Sequence, residues 1–244
     1  LLRALHQVQF NRTAAAALLG LNLRQIRYRM ERLGIISNDK TDDTTNMNHS
    51  PTAQWQQGWC NLAQHLPSPN YNTRPAATSI DLLVIHSISL PPGQYGGPHI
   101  AQLFTNTLDF DAHPYFQQIR GLQVSSHFVI QRTGHIQQFV SCNHRAWHAG
   151  TSHWRGRDNC NDHSIGIELE GLEGHPFEAA QYQALTQLAK SIAAHYPLKH
   201  VAGHEHIAPG RKADPGAGFD WAKFQHLTAW PQHWFPEETH LQQR

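Results

Sequence analysis

Ile80-Asp81-Leu82-Leu83-Val84-Ile85-His86-Ser87 sets five aliphatic residues within six positions and then breaks into a histidine and a serine. Followed by the turn-forming Pro91-Pro92-Gly93, the run predicts a buried strand over residues 82–86 that ends at His86. In α/β sheets ligands gather at the carboxyl ends of strands, which is where this histidine stands. Downstream, Asn161-Asp162-His163-Ser164-Ile165-Gly166-Ile167-Glu168-Leu169-Glu170-Gly171 reads as a second strand. Its alternation puts Ile165, Ile167 and Leu169 on one face and Ser164, Gly166, Glu168 and Glu170 on the other. A carboxylate in mid-strand on a buried sheet is costly unless it is paired or catalytic.

Further strands are expected over residues 126–131, 135–140 and 199–203, with Arg132-Thr133-Gly134 as a tight hairpin signal between the first two. Helices are expected over 98–108, 177–195 and 220–229. The long one carries Glu178 in its first turn and stops before Pro197. Strands interleaved with helices predict an α/β fold, a mixed β-sheet flanked by helices.

The stretch Val201-Ala202-Gly203-His204-Glu205-His206-Ile207-Ala208-Pro209-Gly210-Arg211-Lys212-Ala213-Asp214-Pro215-Gly216 packs a histidine, a lysine and an aspartate into one loop. Imidazole and carboxylate are the ligand types that zinc takes in hydrolytic sites, where three protein ligands leave a fourth position for water. With 20 histidines in the chain, a polar surface loop with incidental histidines is the competing reading of this stretch alone.

Taken together, four ordered segments settle the comparison: residues 83–93, Arg145-Ala146-Trp147-His148-Ala149-Gly150, residues 160–171 and residues 203–216. Over roughly residues 59–224 the chain resembles the zinc N-acetylmuramoyl-L-alanine amidases of the peptidoglycan-recognition type, within them the branch that cleaves 1,6-anhydro-muropeptides. The resemblance implies Zn²⁺ held by His86, His204 and Asp214, with Glu168 accepting a proton from water and Lys212 facing the developing oxyanion. It implies a substrate cleft at Ser87, Trp147, His148, Arg157 and Arg211. It also implies that Glu170 is structural.

Three positions depart from the family pattern. Ser87 stands in place of Asn, Asn159 in place of Arg (leaving Arg157 as the nearby cation), and His206 in place of Asp. His206 is two residues from His204 and on a continuing strand would share its face; the usual count of three protein ligands argues against a role in metal binding.

Composition bounds the rest. The 244 residues suffice for one full core plus a small appendage. The longest apolar runs reach five or six residues, far short of a membrane span. The first residues contain no apolar stretch of the secretory type. Cys60, Cys142 and Cys160 are an odd number without pairing spacing, which favours free thiols in a cytoplasmic protein. A net charge of +1 excludes a globally basic nucleic-acid binder.

The charge is unevenly spread. Residues 1–46 hold seven Lys and Arg against four Asp and Glu, and the remainder holds twelve against fourteen. Residues 11–34 read as two short helices joined at Gly20, with Thr13 and Asn22 as N-caps. Leu23, Ile26, Met30 and Leu33 line one side of the second helix, opposite the arginines. This segment resembles the Fis-type helix-turn-helix that ends response regulators of the NtrC class. About forty residues are a thin core for independent folding, so the reading is a helix-turn-helix-like segment over 1–36 that is a remnant or precedes the true start at Met47. A polar linker over 37–51 and an amidase domain over 52–244 follow.

The expected function is hydrolysis of the amide bond between N-acetylmuramic acid and L-alanine in 1,6-anhydro-muropeptides, during peptidoglycan recycling in the cytoplasm. The expected partner is that small-molecule substrate, with neither membrane nor nucleic acid. An amidase acting on intact peptidoglycan, a non-catalytic recognition protein lacking zinc ligands, and a DNA-binding regulator using residues 11–34 are the alternatives.

Overall fold

The computed structural model describes residues 53–237 continuously and, before them, Ala4, Ala15, Ala16, Leu18–Leu21, Ile26, Arg29 and Met30. Chain packing divides it into two units, Leu1–Ser50 and Pro51–Arg244. In the first unit Ala15, Ala16 and Leu18 are helical, Gly20 turns at φ 62°, and Ile26, Arg29 and Met30 are helical again. Ala15, Ala16, Ile26 and Met30 are buried together with Leu21 against them. The expected caps Thr13 and Asn22 and the linker over 37–51 lie outside the described residues.

The second unit is built on a six-stranded sheet. Its strands in chain order are β1 (Gln64–His65), β2 (Leu82–Ile88), β3 (Phe128–Ile130), β4 (Ile136–Gln138), β5 (Ser164–Glu170) and β6 (His200–Gly203). The spatial order is β6-β2-β5-β3-β4-β1. Neighbours run parallel except for the β3–β4 hairpin. There Gln131 N–H donates to the His135 carbonyl and Gly134 N–H to that of Gln131, as the Arg-Thr-Gly signal predicts. The mixed sheet is flanked by helices α1 (His99–Phe104), α2 (Pro114–Gln118), α3 (Ala179–His195), α4 (His204–Ile207) and α5 (Trp221–Thr228).

Period-two alternation decides which residues meet which layer. Leu83 and Ile85 of β2, Ile165, Ile167 and Leu169 of β5, and Phe128 and Ile130 of β3 join one core with Leu185, Leu188, Ala189 and Ile192 of α3. Those α3 positions recur every three or four residues, one stripe of a helix. Each such aliphatic side chain contributes about 1.5–3 kcal/mol on burial. The opposite face carries Leu82 and Val84, packed with Ala149, Trp154, Cys160, Ala202 and Ile207, and then His86. On that same face β5 presents Ser164, Gly166 and Glu168.

Helix ends depart modestly from expectation. Helix α3 begins at Ala179 because Glu178 is its N-cap: the Glu178 carbonyl accepts the Gln181 N–H, and the Gln181 side chain reaches back to accept the Glu178 N–H, each at 3.0 Å. Helix α5 is capped by Asp220, which accepts the Lys223 N–H, and closes on Ala229 at φ 56°. Helix α2 escapes the sequence reading because five residues are too few for a periodic signal; Pro114 at its start and the His113 ring, which accepts Tyr115 N–H, nucleate it. One correction bears on function. The strand ends at Gly203 and His204 opens α4, so His206 does not share a strand face with it. Instead the His206 ring folds back to accept the Gly203 N–H at 2.9 Å and lies against Trp221.

Candidate metal centre and catalytic cleft

Parallel pairing of β2 with β5 sets Glu168 directly beside His86. His204 reaches the same place from the neighbouring strand β6, since the chain turns into α4 as it leaves the sheet. The loop after α4 returns over the mouth, where Glu205 N–H donates to the Asp214 carbonyl at 2.9 Å. These elements bring His86 Nδ1, His204 Nδ1 and Asp214 Oδ2 into a triangle with edges of 3.0, 3.1 and 3.2 Å.

The donor chemistry of the triangle fits a cation. His204 Nε2 lies 3.1 Å from the Ala149 carbonyl, which can only accept. With the Nε2 proton donated there, Nδ1 is free to present a lone pair to a cation shared with Asp214. A tetrahedral zinc ion with ligands at about 2.0–2.2 Å separates them by about 3.3–3.6 Å, so the triangle closes on such an ion after a few tenths of an ångström of expansion. His86, His204 and Asp214 are the one group among the described residues whose ligand atoms converge in this way.

Electrostatics agree with ligand duty. Burial lowers the His86 pKa to about 4, against the pull of Asp214, and keeps the imidazole neutral as a ligand must be. Glu168 behaves in the opposite way. Its Oε1 is 3.9 Å from His86 Nδ1, while Oε2 is buried without a hydrogen-bond partner among the described residues. Burial raises its pKa well above the ordinary value, the Asp214 charge adds to that, and Lys212 opposes it. A buried carboxyl with an idle oxygen beside a ligand triangle is suited to taking up a proton.

A cleft of about 660 Å³ opens over this centre, within the range of roughly 300–1,000 Å³ usual for small-molecule sites. Ser87, Trp147, His148, Glu168, Arg211 and Lys212 border it. Leu90, Leu103, Phe104, Tyr115, Ile119 and Leu122 give it an apolar lining. The structure thus gathers every sequence-predicted site residue but one. Arg157 pairs with Asp81 Oδ1 at 2.7 Å, at the amino end of β2 and away from the cleft. The cause is local: Arg157 lies on a two-stranded ribbon with residues 153–154, ended by Asn159 at φ 55°.

Two other expected contacts carry more than a cleft-lining role. Arg211 donates to the carbonyls of Ala149 (2.6 Å) and Thr151 (2.7 and 3.1 Å) and so ties down the loop beneath His204. His148 is buried and places Nδ1 2.8 Å from His86 Nε2. Asn161 was not singled out from sequence, yet its Oδ1 accepts both the His148 N–H at 3.1 Å and the Ala149 N–H at 2.8 Å. A side-chain amide holding two backbone donors from twelve or thirteen residues away leaves no periodic trace in sequence.

Comparison with known proteins gives two family matches. Residues 76–217 match the family model described as N-acetylmuramoyl-L-alanine amidase, and residues 1–33 match that of bacterial regulatory proteins of the Fis family. The 1,6-anhydro-N-acetylmuramyl-L-alanine amidase AmpD of Salmonella typhimurium strain SL1344 is 50% identical over 179 residues, covering 72% of this chain and 96% of the relative. AmpD of Escherichia coli K12 is 50% identical over 176 residues, 71% of this chain and 96% of the relative. The crystal structure of the selenomethionine derivative of AmpD superposes with a TM-score of 0.70 at 49% identity, covering 71% of this chain and 98% of that one. The amidase model spans both histidines, the aspartate and the glutamate of the centre, and the chain belongs to the N-acetylmuramoyl-L-alanine amidase family.

Proposed function

We propose that this protein is a zinc-dependent hydrolase that cleaves the amide between N-acetylmuramic acid and L-alanine in 1,6-anhydro-muropeptides, the reaction of peptidoglycan recycling. The observation that carries the reading is the ligand triangle of His86, His204 and Asp214 with the Glu168 carboxyl alongside, at the polar end of a cleft. The relatives named above share about half their residues with this chain over nearly their whole length.

His86, His204 and Asp214 would hold the ion. Bound zinc supplies Lewis acidity, polarising a carbonyl oxygen and bringing the pKa of its water to about 7. Glu168 accepts the proton of the attacking water; its burial makes the protonated form stable enough to hand that proton on to the departing amine. Lys212, which borders the same cleft and acts electrostatically on Glu168, neutralises charge on the oxyanion as the carbonyl carbon becomes tetrahedral. Trp147 and the apolar wall around Leu103 and Tyr115 supply contact area for the sugar and the peptide stem, and Ser87 and Arg211 supply polar contacts at the reacting end. We place the reaction in the cytoplasm; support comes from three unpaired, buried thiols, Cys60, Cys142 and Cys160, which suit a reducing compartment.

The test is digestion of purified 1,6-anhydro-muropeptide beside intact sacculus, with and without a chelator, read by mass spectrometry. Release of free stem peptide from the anhydro substrate, abolished by the chelator, is expected. Undiminished release from metal-stripped protein, or none from the anhydro substrate, would overturn the reading.

A further inference from the structure

We propose that the dipeptide His148-Ala149 is a positioning element that fixes the tautomers of both metal-binding imidazoles, so that His86 and His204 each present Nδ1 as a lone pair. The inference rests on the metal centre described above and extends it to residues that do not themselves touch the ion.

The direction of each hydrogen bond follows from groups that have only one role. Ser164 Oγ lies 2.6 Å from the Cys160 carbonyl, and a carbonyl cannot donate, so the serine hydroxyl proton is committed there. Ser164 Oγ is also 3.1 Å from His148 Nε2. Having no second proton, the oxygen can only accept, and His148 Nε2 carries the hydrogen. His148 Nδ1 is then the unprotonated nitrogen. Standing 2.8 Å from His86 Nε2, it accepts the proton of that ring. His86 Nδ1 is left bare and faces Asp214 and His204. For the second imidazole, the Ala149 carbonyl one residue later offers His204 Nε2 an acceptor on the side away from Asp214, matching the tautomer that a cation shared by Nδ1 and Asp214 requires. Asn161 Oδ1 holds both peptides of the dipeptide in place, and Arg211 draws on the same Ala149 carbonyl from the other side.

The fold makes room for this arrangement at a position that looks wasteful in sequence. Gly166 sits at the centre of β5, where glycine weakens a strand. A Cβ there would come within 2.6 Å of His148 Cγ and Nδ1 and 2.8 Å of Ser126 Oγ. Glycine is the residue that lets the His148 ring approach the strand this closely and reach His86. The partner of a ligating imidazole commonly tunes metal affinity about 10–100-fold.

The experiment measures the zinc dissociation constant of the full chain by competition with a chromophoric chelator, together with the ¹⁵N chemical shifts of the histidine rings in the metal-free protein. His148→Leu removes the acceptor and is expected to weaken zinc about 10–100-fold. His148→Gln, whose amide oxygen accepts from His86 Nε2, is expected to restore affinity toward the unmodified protein. Ser164→Ala frees the His148 ring to move its proton to Nδ1. This should shift the His86 resonances toward the Nδ1–H tautomer and weaken zinc with little loss of thermal stability. Wild-type affinity in His148→Leu and Ser164→Ala, or equal losses in His148→Leu and His148→Gln with unchanged ring shifts, would overturn the proposal. Failure of the unmodified protein to bind zinc would overturn the metal reading instead, so the two failures are distinct.

Discussion

Two largely buried ionisable groups of this protein are treated in opposite ways. Arg74 sends its guanidinium into the carbonyls of Cys142, Asn161, Asp162 and Ser164 at 2.8–3.3 Å. Burial draws its pKa down only to about 10, so it stays charged. In β5, Glu168 has one oxygen with no partner among the described residues and a pKa pushed well above its usual value by burial. Arg74 is fully satisfied and therefore structural. Glu168 is left unsatisfied beside three converging ligands, where an open position is useful only if a substrate or an attacking water completes it. Glu170, two residues along the same strand, belongs with Arg74: its oxygens accept the Gly96 N–H at 2.6 Å and the Arg132 N–H at 3.0 Å.

The largest effect should come from the ligand triangle. His86→Ala, His204→Ala and Asp214→Ala are each expected to lose zinc and all measurable turnover. His206→Ala should keep both, because its Nδ1 is occupied by the Gly203 N–H. Zinc content by inductively coupled plasma mass spectrometry decides; loss of metal in His206→Ala would reassign the ligand set.

Next come the two groups that act on the reaction without holding the ion. Glu168→Gln should retain zinc and lose about 10²–10⁴-fold in kcat, with no fall in Tm, since the substitution removes a buried carboxyl that has an unpartnered oxygen. Lys212→Ala should retain zinc and lose about 10²–10³-fold. Glu170→Ala tests the contrast from the other side. It strands two backbone donors at about 1–3 kcal/mol each while turnover of the folded enzyme persists. A Glu170→Ala enzyme that is dead beside a live Glu168→Ala would exchange the two roles.

Arg74→Met should act on stability. It leaves carbonyls at Cys142, Asn161, Asp162 and Ser164 without their donor. At about 1–3 kcal/mol per buried unpaired group, a loss of at least about 3 kcal/mol is expected, roughly 6–12 °C in Tm for a domain of this size. An unchanged Tm would remove the distinction drawn above between a satisfied and an unsatisfied charge. The smallest effect is expected on deleting residues 1–50. Kinetic constants and zinc content should match those of the full chain, since the amidase unit contains its own core and every residue of the centre.

Much of this molecule is determined by sequence alone, and the reason is that burial writes itself into residue order. The aliphatic run before His86, the alternation through residues 164–170 and the stripe along α3 each predict an element that the structure contains, because a strand or helix facing one core must repeat its apolar residues at its own period. The candidate ligands His86, His204 and Asp214, with Glu168 and Lys212, came from the resemblance of the segments around them to the zinc amidases; residue types alone left a polar loop with incidental histidines as an open reading. What only the tertiary structure decided are relations between positions far apart in the chain. Sheet register put Glu168 beside His86. The turn into α4 separated His206 from His204, and an ion pair with Asp81 took Arg157 out of the cleft. The line of hydrogen bonds from the Cys160 carbonyl through Ser164 and His148 to His86 belongs to the same class. Hydrogen bonds depend on distances of a few tenths of an ångström between groups brought together by folding, and residue order carries no period from which such distances could be read.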